Sequence, residues 1–264
     1  MKRFLMCAPE HFDVRYVINP WMHGNLGKVD KALASSQWQA LHRIVSARAA
    51  VTLIDPVEGL PDMVFTANAG LVHGDQVIVS AFRHAERQPE SPHFGRFFSS
   101  LGFEVHHLSL DTAFEGAGDA LFDSAGRLWL GSGFRSDAYA QEGIQSVFDV
   151  EIHPLELIDP HWYHLDICFC PLPQGGAMAW RGAFGEGSAA ALEAAFGKDL
   201  IWVSEQDAKD FACNAVVIGH DVVLHRASNA LKAALAQRGL QVIETDMSEF
   251  LKSGGSCKCL TLEL

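Results

Sequence analysis

The sequence predicts an α/β protein in which one strand–turn–strand unit is repeated around a ring. Short apolar strands alternate with amphipathic helices along all 264 residues, and no Pro/Ser-rich linker or low-complexity stretch divides them. The units recur about every 45–50 residues, a spacing typical of radial repetition. Any α/β protein can show strands and helices at such a spacing, so the pattern alone leaves a fold without repeats open. We expect a single domain over residues 1–264.

Five strand–turn–strand segments make up the predicted repeat. Each begins near a polar or acidic residue, continues as an apolar strand, and returns as a second strand after a tight turn. In chain order they are VFTANAGLV-HGD-QVIVSA, EGAGDALF-DSAG-RLWLGS, DICFCPL-PQGG-AMAW, NAVVI-GHD-VVLH and CKCLTLEL, which the N-terminal RFLMCAP would complete. Closure of the ring would gather Asn68, Glu115, His164 and Cys259 at one central opening.

The helices between these units are predicted from apolar spacing and capping residues. Residues 30–49 place apolar side chains at helical intervals behind Asp30, a suitable N-cap. In SPHFGRFFSSLG we expect Ser91 to cap a helix that has Pro92 in its first position and ends at Gly102. Further helices are expected close behind Ser136, Ser188, Ser204 and Ser228.

Composition argues against several classes of protein. The formal net charge of −12 is unfavourable for nucleic-acid binding, which requires basic patches, and it favours cationic small molecules. No uncharged apolar segment approaches the roughly 18 residues that span a bilayer. The start MKRFLMCAPEHFDV has too short an apolar run for export. Six cysteines outside any dense framework favour cytoplasmic thiols over disulfides.

Four short motifs contain residues that could carry chemistry. YHLD has His164 and Asp166 two residues apart, so on a strand both side chains would share one face. FEGAGDALF places Glu115 and Asp119 around two glycines, which suit a turn near a ligand or an ordinary hairpin. CFCPL and CKC are Cys-x-Cys pairs, whereas structural zinc sites usually have Cys-x2–4-Cys, so we expect no metal. Ordinary buried thiols are expected at Cys7, Cys168, Cys170 and Cys213.

These motifs together resemble the guanidino-group-modifying superfamily of arginine deiminases, dimethylargininases and amidinotransferases. GGSCKCLT is similar to that superfamily's Gly-Gly-x-x-x-Cys-x-Ser/Thr element, with Cys259 as the nucleophile and Cys257 at a variable position. HLD matches the motif of the catalytic histidine, here His164, and FEGAGD matches the element that orients it through Glu115. The resemblance implies a five-bladed α/β propeller (the pentein fold) with pseudo-fivefold repeats, and chemistry without a cofactor.

The resemblance is closest to the arginine dihydrolase domain of cyanobacterial type. It runs through FLMCAPEHFDVRYVINPWM, PDMVFTANAGLV, FEGAGDALFD, YHLDICFCPL, FACNAV and KCLTLEL. It implies hydrolysis of L-arginine to ornithine, ammonia and carbon dioxide through a covalent thiouronium intermediate. A deiminase giving citrulline, a dimethylargininase, an amidinotransferase and a thiol-rich binding protein remain alternatives. The cyanobacterial proteins carry a further C-terminal region, and no activity of that region is expected of this sequence.

The resemblance also implies substrate contacts. Asp166 would accept hydrogen bonds from the guanidinium, and Asn68 stands where arginine deiminases carry an aspartate. Arg87 and Arg135 would hold the α-carboxylate, because a guanidinium fork pairs with it bidentately. The remaining predicted substrate-binding residues are Asn19, Asp62 and Asp119. The expected partner is arginine or a related guanidino compound, with neither nucleic acid nor membrane, and a homo-oligomer is possible.

Overall fold

Five three-stranded sheets form the framework of the protein. The structure is a computed structural model and describes residues 2–109 and 111–264. The strands are Arg3–Cys7 (β1), Ala50–Ile54 (β2), Gly70–His73 (β3), Gln76–Val79 (β4), Glu104–His107 (β5), Ala120–Phe122 (β6), Leu128–Ser132 (β7), Ile152–Glu156 (β8), Phe169–Pro171 (β9), Ala177–Ala179 (β10), Leu200–Trp202 (β11), Val216–Ile218 (β12), Asp221–Leu224 (β13), Gln241–Glu244 (β14) and Leu262–Glu263 (β15). The α-helices are Lys31–Ser46 (α1), Ser91–Ser100 (α2), Ala140–Gln145 (α3), Glu186–Phe196 (α4), Glu205–Lys209 (α5), Asn229–Ala236 (α6) and Ser248–Leu251 (α7).

All five sheets share one topology. The first strand pairs antiparallel with the central strand, which pairs in parallel with the third, giving β3–β4–β5, β6–β7–β8, β9–β10–β11, β12–β13–β14 and β15–β1–β2. A helix lies between the central and third strands of each sheet, as a parallel connection requires a crossover. Successive first strands begin 46 to 50 residues apart. The predicted α/β fold with five repeats is confirmed, whereas the single domain over 1–264 stays a prediction.

The first and last strands together close the fifth sheet. Phe4 of β1 pairs antiparallel with Glu263 of β15, and Arg3 pairs in parallel with Ala50 of β2. The prediction that RFLMCAP completes the last unit is therefore confirmed. Around the ring, the first strand of one sheet contacts the short 3-10 turn that opens the next: β15 contacts Thr66–Ala69, and β3 contacts Gly116–Gly118. These contacts bring the turns ahead of the first strands together at one end.

The helix predictions are confirmed in part. Asp30 caps α1 by accepting from the Leu33 amide at 3.0 Å, and Gly102 follows α2 with φ +88°. Ser204 and Ser228 cap α5 and α6.

Three other serines of the helix predictions do not act as caps, although the helix expected behind Ser136 is present as α3. Ser91 is the first residue of α2 and donates to the Ser80 carbonyl oxygen at 2.6 Å instead. Ser188 lies inside α4, where its hydroxyl accepts from the Glu156 amide. Ser136 binds two groups of the candidate site described below, the amide of Glu115 and the carboxylate of Asp119. In each case a tertiary hydrogen bond takes the hydroxyl that a cap would use.

The YHLD segment differs from its predicted form. Leu165–Ile167 forms a 3-10 turn, and β9 begins only at Phe169, so His164 and Asp166 do not lie on a strand. The turn is fixed by a residue distant in sequence, because Asp119 accepts a hydrogen bond from the Leu165 amide at 3.0 Å. No helix in the described part of the chain is long and apolar enough to cross a membrane.

Candidate active site

A small cavity lies where the turns ahead of the first strands meet. It is lined by Ile18, Asn19, Met22, Asp62, Phe65, Asn68, Arg87, Arg135, Tyr163, Ser253, Gly255 and Cys259. Six of the ten predicted site residues are in this lining, and the other four are buried beside it: Glu115, Asp119, His164 and Asp166. The cavity volume is about 10 Å³.

A larger cavity of about 730 Å³ lies at the opposite end of the ring. Residues of the hairpin turns line it, among them Gly74, Asp123, Pro173 and Gly219. None of the ten predicted site residues contacts this cavity. The larger volume therefore does not mark the place where the predicted chemistry is assembled.

His164 is held by a buried carboxylate. Its Nε2 lies 2.8 Å from Glu115 Oε2, and Arg135 Nη1 donates to the same oxygen at 2.9 Å. Burial opposes ionisation of Glu115, but Arg135 and the hydrogen bond from His164 outweigh it and hold the pKa of this carboxyl well below its usual range. Because ionised Glu115 accepts at Nε2, Nδ1 is the ring nitrogen left for proton exchange.

Asp119 supports this arrangement from outside the cavity lining. It accepts from the Ser136 hydroxyl at 2.6 Å and from the Leu165 amide at 3.0 Å, and it lies 3.9 Å from His164 Nε2. Burial raises its pKa to about 6. Its contacts hold the histidine turn and the Glu115 segment together, because the Ser136 hydroxyl also accepts from the Glu115 amide.

Close approach of the turns requires glycine at two positions. A Cβ at Gly118 would lie 2.2 Å from Asn68 Nδ2 and 3.4 Å from the His164 ring. A Cβ at Gly116, which has φ +58°, would lie 2.6 Å from the Gly70 carbonyl oxygen. The two glycines of FEGAGD thus bring Asn68 and His164 to the same centre.

Among the described residues that line the cavity, Cys259 is the only cysteine. Its Sγ lies 3.2 Å from Asp166 Oδ2 and 3.0 Å from Asn214 Nδ2. Burial raises the pKa of the Cys259 thiol well above its usual value, and the charge of Asp166 raises it further. The unliganded site therefore holds a protonated thiol that donates to Asp166.

Asp166 keeps one oxygen without a partner. Its Oδ1 is buried and accepts no hydrogen bond from the described residues. Burial raises its pKa to about 6, against the opposing charge of Lys258. A buried carboxylate oxygen without a donor is costly, and a guanidinium placed next to it would satisfy it.

Cys257 lies outside the cavity lining. It is fully buried, and burial raises the pKa of its thiol to about 12. The Ser256 hydroxyl lies 3.9 Å from its sulfur. The geometry therefore favours Cys259 over Cys257 as the reactive thiol.

Arg87 connects three groups of the site. Its Nε and Nη2 donate to the two carboxylate oxygens of Glu90, each at 2.9 Å. Nη1 donates to Asn68 Oδ1 at 2.8 Å, and Nη2 also reaches the Asp62 carbonyl oxygen at 3.2 Å. Burial raises the pKa of Glu90 to about 7 despite this pairing. Most donors of this guanidinium are thus used within the protein.

Arg135 is less fully engaged. One N–H binds Glu115, and another binds the Ile18 carbonyl oxygen at 3.2 Å. The guanidinium carbon lies 4.5 Å from the centre of the Tyr163 ring, which favours its charge. A guanidinium has five N–H groups, so three remain for a ligand when only contacts with described residues are counted.

Asn19 and Asp62 form part of the cavity wall next to the N-terminal segment. Asn19 Oδ1 caps the turn Pro20–Met22 by accepting from the amides of Trp21 and Met22, and its Nδ2 donates to the Ser253 carbonyl oxygen at 3.0 Å. Asp62 accepts from the Tyr16 hydroxyl at 2.7 Å. Both side chains thereby attach the N-terminal segment to the cavity.

Asn214 is a site residue that the sequence analysis did not identify. It contacts the sulfur of Cys259 and the carbonyl oxygen of Asp166. The repeat offered a signal, because Asn214 stands two residues ahead of β12 just as Asn68 stands two residues ahead of β3. No cluster of three or more potential metal ligands occurs in the part of the chain that the structure describes.

Comparison with known proteins identifies the family. The sequence profile for "N,N dimethylarginine dimethylhydrolase, eukaryotic" matches residues 21–264. The chain is 39% identical to N(G),N(G)-dimethylarginine dimethylaminohydrolase of Mycobacterium tuberculosis, over 100% of this chain and 86% of that protein. The chain belongs to the dimethylarginine dimethylaminohydrolase family. The predicted superfamily is thereby confirmed.

The chain is also similar to two cyanobacterial arginine dihydrolases. It is 49% identical to the bifunctional arginine dihydrolase/ornithine cyclodeaminase AgrE of Nostoc sp., over 99% of this chain and 38% of AgrE. The chain thus spans less than two fifths of that relative, and the same holds for ArgZ of Synechocystis sp., of which it covers 37%. The predicted resemblance to the cyanobacterial branch is confirmed.

Solved structures agree with the predicted five-bladed α/β propeller. The N-terminal domain of ArgZ, in a cysteine-to-serine variant bound to substrate, matches 100% of this chain and 98% of that domain with a TM-score of 0.99 at 48% identity. An asparagine-to-serine variant of the same domain, covalently bound to a reaction intermediate, has a TM-score of 0.98. The predicted pentein fold is confirmed.

Proposed function

We propose that this chain is a cysteine-dependent arginine dihydrolase that converts L-arginine to ornithine, two ammonia molecules and carbon dioxide. One observation supports the proposal above all: Cys259 contacts Asp166 and His164 contacts Glu115 at the same buried centre. The likeness of the whole chain to the substrate-binding domain of ArgZ supports arginine as the substrate.

The guanidinium of arginine activates the nucleophile in this mechanism. It binds against Asp166. The free Oδ1 of Asp166 accepts its N–H groups, and Oδ2 accepts from the substrate in place of the Cys259 thiol. The added positive charge lowers the pKa of Cys259, so the thiol passes its proton to His164 and the thiolate forms when substrate is present. The sulfur attacks the guanidinium carbon, and the C–S bond forms as one C–N bond breaks.

His164 moves the protons. It protonates the departing nitrogen, which leaves as ammonia and yields the thiouronium intermediate, and it then takes a proton from the water that attacks this carbon. Glu115 holds the imidazole tautomer and stabilises the imidazolium, while Arg135 keeps Glu115 ionised. Release of the thiol completes the first round and leaves citrulline.

A second round removes the remaining nitrogen. Cys259 attacks the ureido carbon of citrulline and expels a second ammonia, and water hydrolyses the resulting thiocarbamate to carbon dioxide and ornithine. The two rounds together consume two water molecules. Such a sequence requires that the neutral ureido group be held as productively as the cationic guanidinium was.

The side chain of Asn68 meets this requirement. Arg87 can only donate, so the Asn68 oxygen faces Arg87 and the amide nitrogen faces the other way, toward the Glu115 carbonyl oxygen at 3.4 Å and the cavity. This leaves an N–H for the ureido oxygen of citrulline. A carboxylate at this position would have no such donor, which favours a dihydrolase over a deiminase.

The α-carboxylate of the substrate is assigned mainly to Arg135. Three of its N–H groups are not used by described residues, whereas Arg87 is occupied by Glu90, Asn68 and Asp62. Arg87 lines the same cavity and contributes its remaining donor. We also infer a cytoplasmic location, which the free state of all six cysteines supports.

Product analysis tests the proposal. Purified protein is incubated with arginine labelled at the guanidino carbon, and Cys259→Ser serves as the inactive control. We expect unlabelled ornithine, labelled carbon dioxide and two ammonia molecules for each arginine. Labelled citrulline as the sole product would instead identify a deiminase.

The family match favours dimethylargininase as the second candidate. Asymmetric dimethylarginine should then release dimethylamine faster than arginine releases ammonia. A higher kcat/KM for dimethylarginine than for arginine would replace the proposed substrate.

A further inference from the structure

We infer that Asn214 is a further catalytic residue, whose side-chain amide donates a hydrogen bond to the sulfur of Cys259 and stabilises it as a thiolate. The inference deepens the proposed function, because it takes Cys259 as the nucleophile. It concerns the state of that sulfur and does not depend on which guanidino compound is hydrolysed.

All four hydrogen-bonding positions of the Asn214 amide are used. Its Oδ1 accepts from the backbone amides of Ser256 and Cys259, each at 3.1 Å. Its Nδ2 donates to the Asp166 carbonyl oxygen and to Cys259 Sγ, each at 3.0 Å. The side chain is fully buried, so no water competes for these positions.

These partners fix the orientation of the amide. Backbone N–H groups can only donate, so the side-chain oxygen must face Ser256 and Cys259. The nitrogen is therefore the atom that faces the sulfur. In a flipped amide, the NH₂ group would face two backbone N–H groups, and donors would meet donors. The hydrogen bond to the sulfur thus follows from the backbone of the nucleophile turn.

The sulfur needs such a donor because its surroundings otherwise oppose ionisation. Cys259 is 2% exposed, and the carboxylate of Asp166 lies 3.2 Å from it. When the substrate arrives and the proton leaves, the Asn214 N–H becomes a charge-assisted donor to the thiolate. The same amide also fixes the spacing between the Asp166 backbone and the nucleophile turn.

Two substitutions remove the N–H that faces the sulfur, together with the N–H that donates to the Asp166 carbonyl oxygen. Asn214→Asp keeps an oxygen that can accept from the two backbone amides but removes both N–H donors. Asn214→Leu removes donors and acceptors together at similar volume. A hydrogen bond to a charged group contributes about 1.5–3 kcal/mol, so losing it lowers the thiolate population roughly 10- to 150-fold.

The first readout is the rate at which iodoacetamide alkylates Cys259 at pH 9, followed by peptide mass spectrometry in a Cys257→Ser background. Below the thiol pKa this rate is proportional to the thiolate fraction. We expect Asn214→Asp and Asn214→Leu to alkylate at least tenfold more slowly than the parent, with Asn214→Asp unfolding thermally near the parent temperature. An alkylation rate of Asn214→Asp within twofold of the parent would overturn the inference and leave Asn214 a purely structural residue.

The second readout is kcat for arginine, which should fall in both variants with little change in KM. Alkylation is measured without substrate, so it tests Asn214 even if the parent protein fails to hydrolyse arginine. A parent protein that does not hydrolyse arginine would contradict the proposed function and leave the inference about Asn214 to the alkylation rates. A parent protein that turns over arginine while Asn214→Asp retains its kcat would overturn the role of Asn214 alone.

Discussion

Substitution of Asn68 by aspartate should change the product of the reaction from ornithine toward citrulline. The substitution keeps the oxygen that accepts from Arg87 at 2.8 Å, and it replaces the amide nitrogen by a second oxygen. That oxygen can accept from a guanidinium but cannot donate to a ureido oxygen. The first round therefore keeps its binding interactions, whereas the second round loses one.

The expected size of the effect follows from the burial of the site. Asn68 is 2% exposed, so a ureido oxygen left without its donor would not be compensated by water. An unsatisfied buried acceptor costs about 1–3 kcal/mol, which corresponds to roughly 5- to 150-fold in rate. We expect kcat/KM for citrulline to fall by this factor, and kcat/KM for arginine to change much less.

The assay compares the two substrates in the same protein preparation. Ammonia release is measured with arginine and with citrulline as separate substrates, and product ratios are followed with arginine labelled at the guanidino carbon. Asn229→Asp, at the exposed first residue of α6, makes the same change in net charge away from the site and should behave as the parent. Equal losses for arginine and citrulline in Asn68→Asp would refute the assignment of Asn68 to the ureido group.

Three further predictions concern the nucleophile, the carboxylate anchor and pH. Cys259→Ser should abolish turnover in a folded protein, and Cys257→Ser should retain most activity; the reverse result in the ammonia assay would exchange their roles. Arg135→Lys keeps a positive charge beside Glu115 but loses the planar fork, so KM for arginine should rise more than kcat falls, and a loss confined to kcat in steady-state kinetics would contradict the anchoring role. Burial raises the pKa of Asp166 to about 6, and its carboxylate form binds the guanidinium, so kcat/KM should fall as pH decreases through about 6. A pH profile that stays flat down to pH 5 would show that ionised Asp166 is not required.

The same buried carboxyls predict how stability depends on pH. Burial raises the pKa of Glu90 to about 7 and of Asp119 to about 6, above the values of unfolded carboxyls. The folded protein therefore binds protons that the unfolded chain releases, and these two groups make it less stable as pH rises from about 4 to 7. The depressed pKa of Glu115 acts in the opposite sense, since its contribution is lost only as pH falls below the usual carboxyl range.

The fold was predictable because its repeat is local. Each unit consists of neighbouring strands with a tight turn, and the alternation of apolar and polar residues is visible within about 20 residues. The N-capping residues of α1, α5 and α6 were equally local. Ser91 and Ser188 were misjudged because their hydroxyls bind Ser80 and Glu156, which are remote partners that a single sequence does not reveal.

The gathering of the candidate residues at one place was predictable, but their internal pairing was not. Motif resemblance placed ten residues, and the structure brings all ten to or beside one cavity. It did not indicate that Glu90 would take the fork of Arg87 or that Glu115 would hold Arg135 as well as His164. Such pairings depend on which turns meet when the ring closes. The strand predicted for YHLD was wrong for the same reason, since its turn depends on Asp119, which lies just ahead of β6.

Two asparagines at the same position of the repeat give the site a property that carboxylates alone would not provide. Asn68 and Asn214 each stand two residues ahead of a first strand, and in each the oxygen is held by groups that can only donate. Each amide therefore presents an N–H to the centre, one toward the position of the ureido oxygen and one to the sulfur of Cys259. Asp166 attracts the cation in the first round, but citrulline is neutral and brings no charge to lower the pKa of the thiol. The second round then depends more heavily on the Asn214 donor than the first, so Asn214→Asp should slow citrulline hydrolysis more than arginine hydrolysis, and an equal slowing of both would show that the amide serves the two rounds alike.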